Sequence, residues 1–244
     1  MQEQLKKGLD GSTLKYIAII TMLIDHIGAI LVLPMLYQII NQTGTIETSE
    51  VYLFYQLLRN IGRIAFPIFC FFLVEGFCYT SNVKNYAKRL FLFALLSEIP
   101  FDLGFYGTFW TIKGQNVFFT LFIGLLAMVF LKEAQEKITN PTKLIIARLI
   151  IVIFACAIAV LLATDYDMKG VLSIVALYLC RSKEQRLLQL IIGAITFLWE
   201  PYALIAFVLL YFYNEKRGKQ PKYLFYGFYP IHILVLYGIS LMIY

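Results

Sequence analysis

The residues best suited to chemistry are a pair, Asp25-His26, set inside a long apolar run. Lys15 marks the start of that run, and at about 1.5 Å per helical residue the pair lies near the middle of a ~30 Å hydrocarbon layer. His26 is one of only two histidines in the chain. An imidazole can take a proton from a nucleophile, and a carboxylate can orient and stabilise the imidazolium that forms. Neighbours on a helix point about 100° apart, so Asp25 need not touch His26. The plainer alternative is a hydrogen-bonded pair inside a helical bundle.

Other ionisable and polar groups lie where lipid would penalise them. A charge at mid-bilayer costs roughly 2.5–3.5 kcal/mol on insertion scales, so each such group is a functional candidate. Arg59 and Arg63 are four apart and share a helix face. One could pair with Asp25, or both could hold an anion. Arg63 is the stronger candidate, because Arg59 is expected nearer the surface. Glu98 with Asp102, and Asn116 with Thr120, repeat that spacing, and Asp165-Tyr166 and Glu200 follow in later connections. Glu200 and Asp167 read as a solvated rim, whereas Asn116 reads as part of a site. His232 lies in Tyr229-Pro230-Ile231-His232. It is expected to bond a helix-end carbonyl or to take Glu75 as its partner.

The elements that must position these groups are apolar helices. The chain is 60% hydrophobic over 244 residues, too apolar for one soluble core, and the apolar material runs through its whole length. The expected class is all-α: a polytopic transmembrane bundle of about nine helices forming a single domain, residues 1–244. Spans are expected near 14–36, 52–79 (broken near Gly62), 87–104, 116–131, 144–163, 170–180, 187–199, 201–213 and 224–243. The sixth is short, and Glu200-Pro201 predicts a tight turn between the seventh and eighth. Met1–Asp10 lacks the order of a cleaved signal peptide, so the first span is expected to remain.

Loop charges orient this bundle. Lys6 and Lys7, then Lys84, Lys88 and Arg89, then Lys132, Lys137 and Lys143, then Arg181, Lys183 and Arg186, then Lys216, Arg217, Lys219 and Lys222 fall on one side. The alternate connections are poor in base: 38–50 has none, 105–115 only Lys113, and 164–169 only Lys169. The positive-inside rule then places the N-terminus in the cytoplasm. The net charge of +6 belongs to this pattern, which points to anionic lipid and away from nucleic acid. The four cysteines lack metal-ligand spacing and no disulfide is expected; no metal site is expected anywhere.

Taken together, Leu14 to His26, Ile61-Gly62-Arg63-Ile64-Ala65-Phe66-Pro67-Ile68-Phe69, Ser97-Glu98-Ile99-Pro100-Phe101-Asp102, Asn116-Val117-Phe118-Phe119-Thr120, Asp165-Tyr166 and Phe228-Tyr229-Pro230-Ile231-His232 resemble the TraX family. These are membrane proteins associated with N-acetylation of pilin, and they are similar to a broader group of transmembrane acyltransferases. The resemblance covers nearly the entire chain. It implies an acetyltransferase of a bacterial plasma membrane that uses acetyl-coenzyme A, with His26 at the catalytic position.

On that expectation Asp25 tunes His26, which acts as general base or passes through an acetyl-histidine. Arg63, Asn116 or a tyrosine steadies the oxyanion. Arg59, Arg63, Glu98, Asp102, Asn116, Thr120, Asp165, Tyr166 and His232 are the expected donor- and substrate-binding positions. The acceptor, an amine or hydroxyl on a pilin-like peptide, an envelope glycan or a small molecule, stays open, as does the oligomeric state. Two other classes compete. A proton-coupled transporter would also use buried Asp, His and Arg, but no inverted repeat is visible. A non-catalytic assembly factor would need none of them.

Overall fold

The computed structural model describes residues 8–44, 50–182, 184–219, 221 and 223–244. Lys6, Lys7, Lys183 and Lys222 of the charge pattern lie outside the described residues. Among those described, the regular secondary structure is helical, with two isolated bridges, Leu9 with Tyr213 and Gln115 with Thr164. The helices are α1 (Gly11–Ile27), α2 (Leu33–Thr43), α3 (Glu50–Gly62), α4 (Ala65–Tyr79), α5 (Val83–Tyr106), α6 (Val117–Lys137), α7 (Pro141–Leu161), α8 (Asp167–Leu179), α9 (Arg186–Ile195), α10 (Leu204–Tyr211) and α11 (Leu224–Ile243).

Five stretches are long and apolar enough to cross a membrane: Gly11–Gln42, Glu50–Tyr79, Val117–Lys137, Pro141–Leu161 and Leu224–Ile243. Their exposed faces fit that reading. On α7 the side chains of Ile146, Leu149, Ile150, Ile153 and Phe154 all stand exposed, an apolar stripe that suits lipid far better than water.

Several expected boundaries need correction. The first helical stretch continues to Thr43, so the connection expected from Gln38 begins as helix. The third span is one 24-residue helix whose apolar course is interrupted by Glu98 and Asp102. Lys132 and Lys137, expected in a loop, sit in the last turns of α6. The seventh element stops at Ile195 after only 10 residues and gives way to turns, and the eighth is the 11-residue stretch Pro201–Tyr211. Each is shorter than the roughly 20 residues of a full span.

The chain forms two compact units. The first holds residues up to Phe69, Ile99–Trp110 and Glu200–Tyr244. Its spine is the α1–α2 stretch, joined by a π-helical turn over Gly28–Val32 in which the Leu33 amide reaches back to the Gly28 carbonyl. Pro34, next in the chain, has no N–H to continue the ordinary ladder, which accounts for the local slackening. The break between α3 and α4 has the same kind of cause. Pro67 cannot donate to the Arg63 carbonyl, and the Arg63 and Ile64 amides close short turns onto Asn60 and Ile61 at 3.3 Å.

Within this unit α1 packs along α3 and α11. Two glycines permit close approach. A Cβ on Gly62 would overlap the Asp25 carboxylate, and one on Gly104 would lie 2.6 Å from Ile233 and 3.1 Å from Ile30.

The second unit holds Cys70–Glu98 and Thr111–Trp199. Its core is Ile123, Ala127 and Leu131 of α6 against Ala155 and Ala159 of α7 and Val171 and Val175 of α8, with alanines allowing the helices to close. Asn116 caps α6 by accepting from the Phe118 amide at 3.0 Å, and Asn140 caps α7 by accepting from Lys143 at 3.0 Å.

Candidate functional site

Asp25 and His26 sit in the last turn of α1, which runs directly into the π-helical segment, a position where side chains are re-aimed relative to a regular helix. His26 is buried. Its Nδ1 lies 2.6 Å from Nε2 of His232 on α11, which is also buried. The rings are parallel within 6° and their centroids are 4.8 Å apart. With two nitrogens this close at that centroid spacing, the imidazoles meet edge to edge in nearly one plane and are not stacked face to face. His232 Nδ1 in turn donates to the Phe228 carbonyl at 2.6 Å.

Aromatic rings enclose the pair. Phe105 of α5 meets His26 edge-on at 5.2 Å. Tyr229 stands edge-on to both imidazoles at 5.9 Å. Phe228 stacks on His232 at 4.6 Å. Asp102 is fully buried one helical turn before Phe105.

Asp25 does not orient His26 by hydrogen bonding. Its Oδ2 is 4.0 Å from His26 Nε2, outside hydrogen-bond range, and accepts from Arg59 Nη1 at 2.7 Å. Asp25 Oδ1 is buried without a hydrogen-bond partner, close under Gly62. The structure separates the two arginines, whose partners the sequence left open. Arg59 is the partner of Asp25, and Arg63 pairs with Glu200 at 3.3 Å. Glu200, expected on a solvated rim, is half-buried in that ion pair. His232, expected against a carbonyl or Glu75, has the carbonyl and His26.

The second unit gathers the other polar candidates. Asn116 donates from its amide to the Ala94 carbonyl at 2.8 Å and also to Glu98 Oε2, while its own N–H reaches Glu98 at 3.3 Å. With its oxygen capping α6, both amide hydrogens and the oxygen are engaged. Thr120 donates to the backbone carbonyl of Asp165. Tyr166, left-handed at φ 65°, lies edge-on to Trp199 at 6.2 Å. Glu75 pairs with Arg181 at 2.8 Å. Burial alone would lower the Arg181 pKa, but the hydrogen bond and charge of Glu75 outweigh it and raise the value.

The sequence reading missed the contact between the two histidines, the aromatic walls Phe105 and Tyr229, and the role of Glu200. One signal was available. The only two histidines of the chain both fall inside apolar runs, where each needs a buried polar partner.

A helical protein with several membrane-length apolar stretches and a buried, aromatic-walled histidine pair beside an arginine–carboxylate pair defines the class. The family profile described as TraX protein matches residues 10–240, and the chain belongs to that family. The probable fimbrial assembly protein FimC, serogroup H1, of Dichelobacter nodosus is 28% identical over 257 aligned positions, covering 91% of this chain and 92% of that relative. No solved structure matches the chain.

Proposed function

We propose that this protein is a membrane-embedded acetyltransferase, with residues 1–244 acting as one domain in a bacterial plasma membrane, N-terminus in the cytoplasm, spanning about nine times. The observation that carries this reading is the buried His26, held by His232 within aromatic walls and beside a carboxylate neutralised by Arg59. His232 engages one ring nitrogen of His26, and the other, Nε2, lies 4.0 Å from the Asp25 carboxylate, beyond hydrogen-bond reach.

The reaction balances simply. The acceptor nitrogen or oxygen forms a bond to the acetyl carbonyl carbon, and His26 Nε2 takes the proton that the acceptor loses. The carbon–sulfur bond breaks, and His26 returns that proton to the departing thiolate, giving coenzyme A as the free thiol. Guanidinium N–H groups of Arg59 beyond the one that holds Asp25, or those of Arg63, donate to the developing oxyanion.

The phosphates of the donor need cations on the cytoplasmic side. The Lys216–Lys219 segment supplies them and is docked on the start of α1. Gly11 donates to the Lys216 carbonyl at 2.8 Å and Ser12 to the Lys219 carbonyl at 2.5 Å. From Ser12 to His26 the helix rises roughly 21 Å at ~1.5 Å per residue, a distance suited to a long pantetheine arm. Lys84, Lys88 and Arg89 offer a second basic segment. The fimbrial name of the relative favours a pilin-like acceptor, a peptide amine or hydroxyl presented on the far side.

The test is transfer of labelled acetyl from acetyl-coenzyme A to membrane or peptide acceptors by purified protein and by His26→Ala. Loss of transfer in the variant supports the reading, and full activity without His26 rules it out.

A further inference from the structure

We infer that His232 sets the tautomer of His26, so that a neutral histidine, and not a carboxylate, orients the proton acceptor of this site. The Phe228 carbonyl can only accept, so His232 Nδ1, 2.6 Å away, carries a hydrogen. A neutral imidazole has one N–H, which leaves His232 Nε2 bare. His26 Nδ1, 2.6 Å from that bare nitrogen, must then donate to it. The second nitrogen of His26, Nε2, is left with its lone pair. The near-coplanar rings, 6° apart, aim the N–H of one at the in-plane lone pair of the other.

Among the described residues, the carboxylate beside His26 is already committed elsewhere. Asp25, the usual kind of partner for a catalytic imidazole, holds Arg59 and stays 4.0 Å from His26 Nε2. Phe228 stacked on His232 and Phe105 edge-on to His26 oppose rotation of either ring. His232 is thus a positioning residue.

Its role in catalysis rests on the proposed acetyl transfer, whereas the tautomer does not. When His26 Nε2 takes the proton of the acceptor, the Nδ1 hydrogen can cross to His232 Nε2. The positive charge is then shared between two rings until the Nε2 proton leaves with the thiolate and the Nδ1 hydrogen returns.

The chain has two histidines, so 15N-histidine labelling of the full protein in detergent gives four ring-nitrogen signals. Two-bond proton–nitrogen correlations at neutral pH should show both rings neutral, each with Nδ1–H and bare Nε2. His26→Gln assigns the signals of His232. In His232→Phe the remaining His26 should shift to the Nε2–H form. A wild-type His26 that is an imidazolium or carries its hydrogen on Nε2 overturns the inference, whether or not the variants fold.

In the labelled-acetyl assay His232→Phe should lower kcat on the order of 10²-fold with little change in KM for the donor. His232→Gln, whose amide oxygen can accept from His26 Nδ1, should recover part of that loss. The expected spectrum without any acetyl transfer by the wild type would keep the tautomer and overturn only the enzymatic reading.

Discussion

Arg59 Nη1 donates to Asp25 Oδ2 at 2.7 Å from a helix 34 residues further along the chain, and this pair fixes the floor beside His26. Removing the guanidinium strands a largely buried carboxylate, which costs about 3 kcal/mol, the lower end for breaking such a pair. Arg59→Met should therefore lower thermal stability in detergent clearly and suppress acetyl transfer. Arg63→Met breaks a longer pair with Glu200, 3.3 Å against 2.7 Å, whose carboxylate is slightly more open to solvent, and should cost less. Equal melting shifts for the two variants would contradict the assignment of partners.

Gly62 matters through what it does not carry. A Cβ there would overlap the Asp25 carboxylate, so Gly62→Ala forces α1 and α3 apart or turns Asp25 away from Arg59. Overpacking of this kind costs about 1–3 kcal/mol. The expected result is a lower melting temperature with a larger proportional loss of acetyl transfer, although Gly62 has no side chain to offer a substrate. Gly238→Ala is the control. Its added methyl meets nothing within 4 Å, and the helix should be unharmed or slightly stabilised. Similar damage from both substitutions would mean that packing at Gly62 is not special.

Asn116 ties α5 to the start of α6 with every hydrogen-bonding group it has. Asn116→Ala loses the cap, about 1 kcal/mol, and leaves the Ala94 carbonyl and Glu98 to find other partners at about 1–3 kcal/mol. Asn116→Ser keeps only the cap and should fall between wild type and alanine in a thermal melt. If the serine variant melts like wild type yet transfers no acetyl group, the Asn116 amide acts on the substrate and not on the fold.

Much of the helical plan was legible because lipid leaves the backbone few choices. Apolar stretches of membrane length read directly as helices, and Gly62 and Pro201 marked real interruptions. The ends were less legible. Helix α1–α2 runs past its apolar stretch to Thr43 because nothing before Gly44, left-handed at φ 74°, stops it. The sequence also placed Asp25, His26, Arg59 and His232 among the candidates, from their apolar surroundings and the family resemblance. It could not pair them. Whether Arg59 or Arg63 meets Asp25 depends on the turn at Gly62–Ile64, and the contact of His26 with His232 joins residues 206 positions apart. Spacing along one helix says which residues share a face, while the partner of that face is set by tertiary packing.

The start of α1 offers a prediction in pH. Asp10 Oδ1 accepts from the Thr13 amide at 2.7 Å, and this bond, more than any other influence, holds the carboxyl below its ordinary value. A lowered folded-state pKa means that the folded protein favours the charged form. The added stability is therefore fully present above the unfolded value, about 3.9, and is lost as pH falls through the lower folded value. Asp10→Asn keeps an oxygen for the cap but not the charge. Wild type should melt above Asp10→Asn at neutral pH, and the two should converge in strong acid. Asp10→Ala, lacking the cap, should stay about 1 kcal/mol less stable at pH 7. A wild-type advantage over Asp10→Asn that grows on acidification would show that the carboxylate is not the capping form. The cap matters beyond α1, since the same turn holds the Lys216 and Lys219 carbonyls and with them the basic segment proposed to bind the donor phosphates.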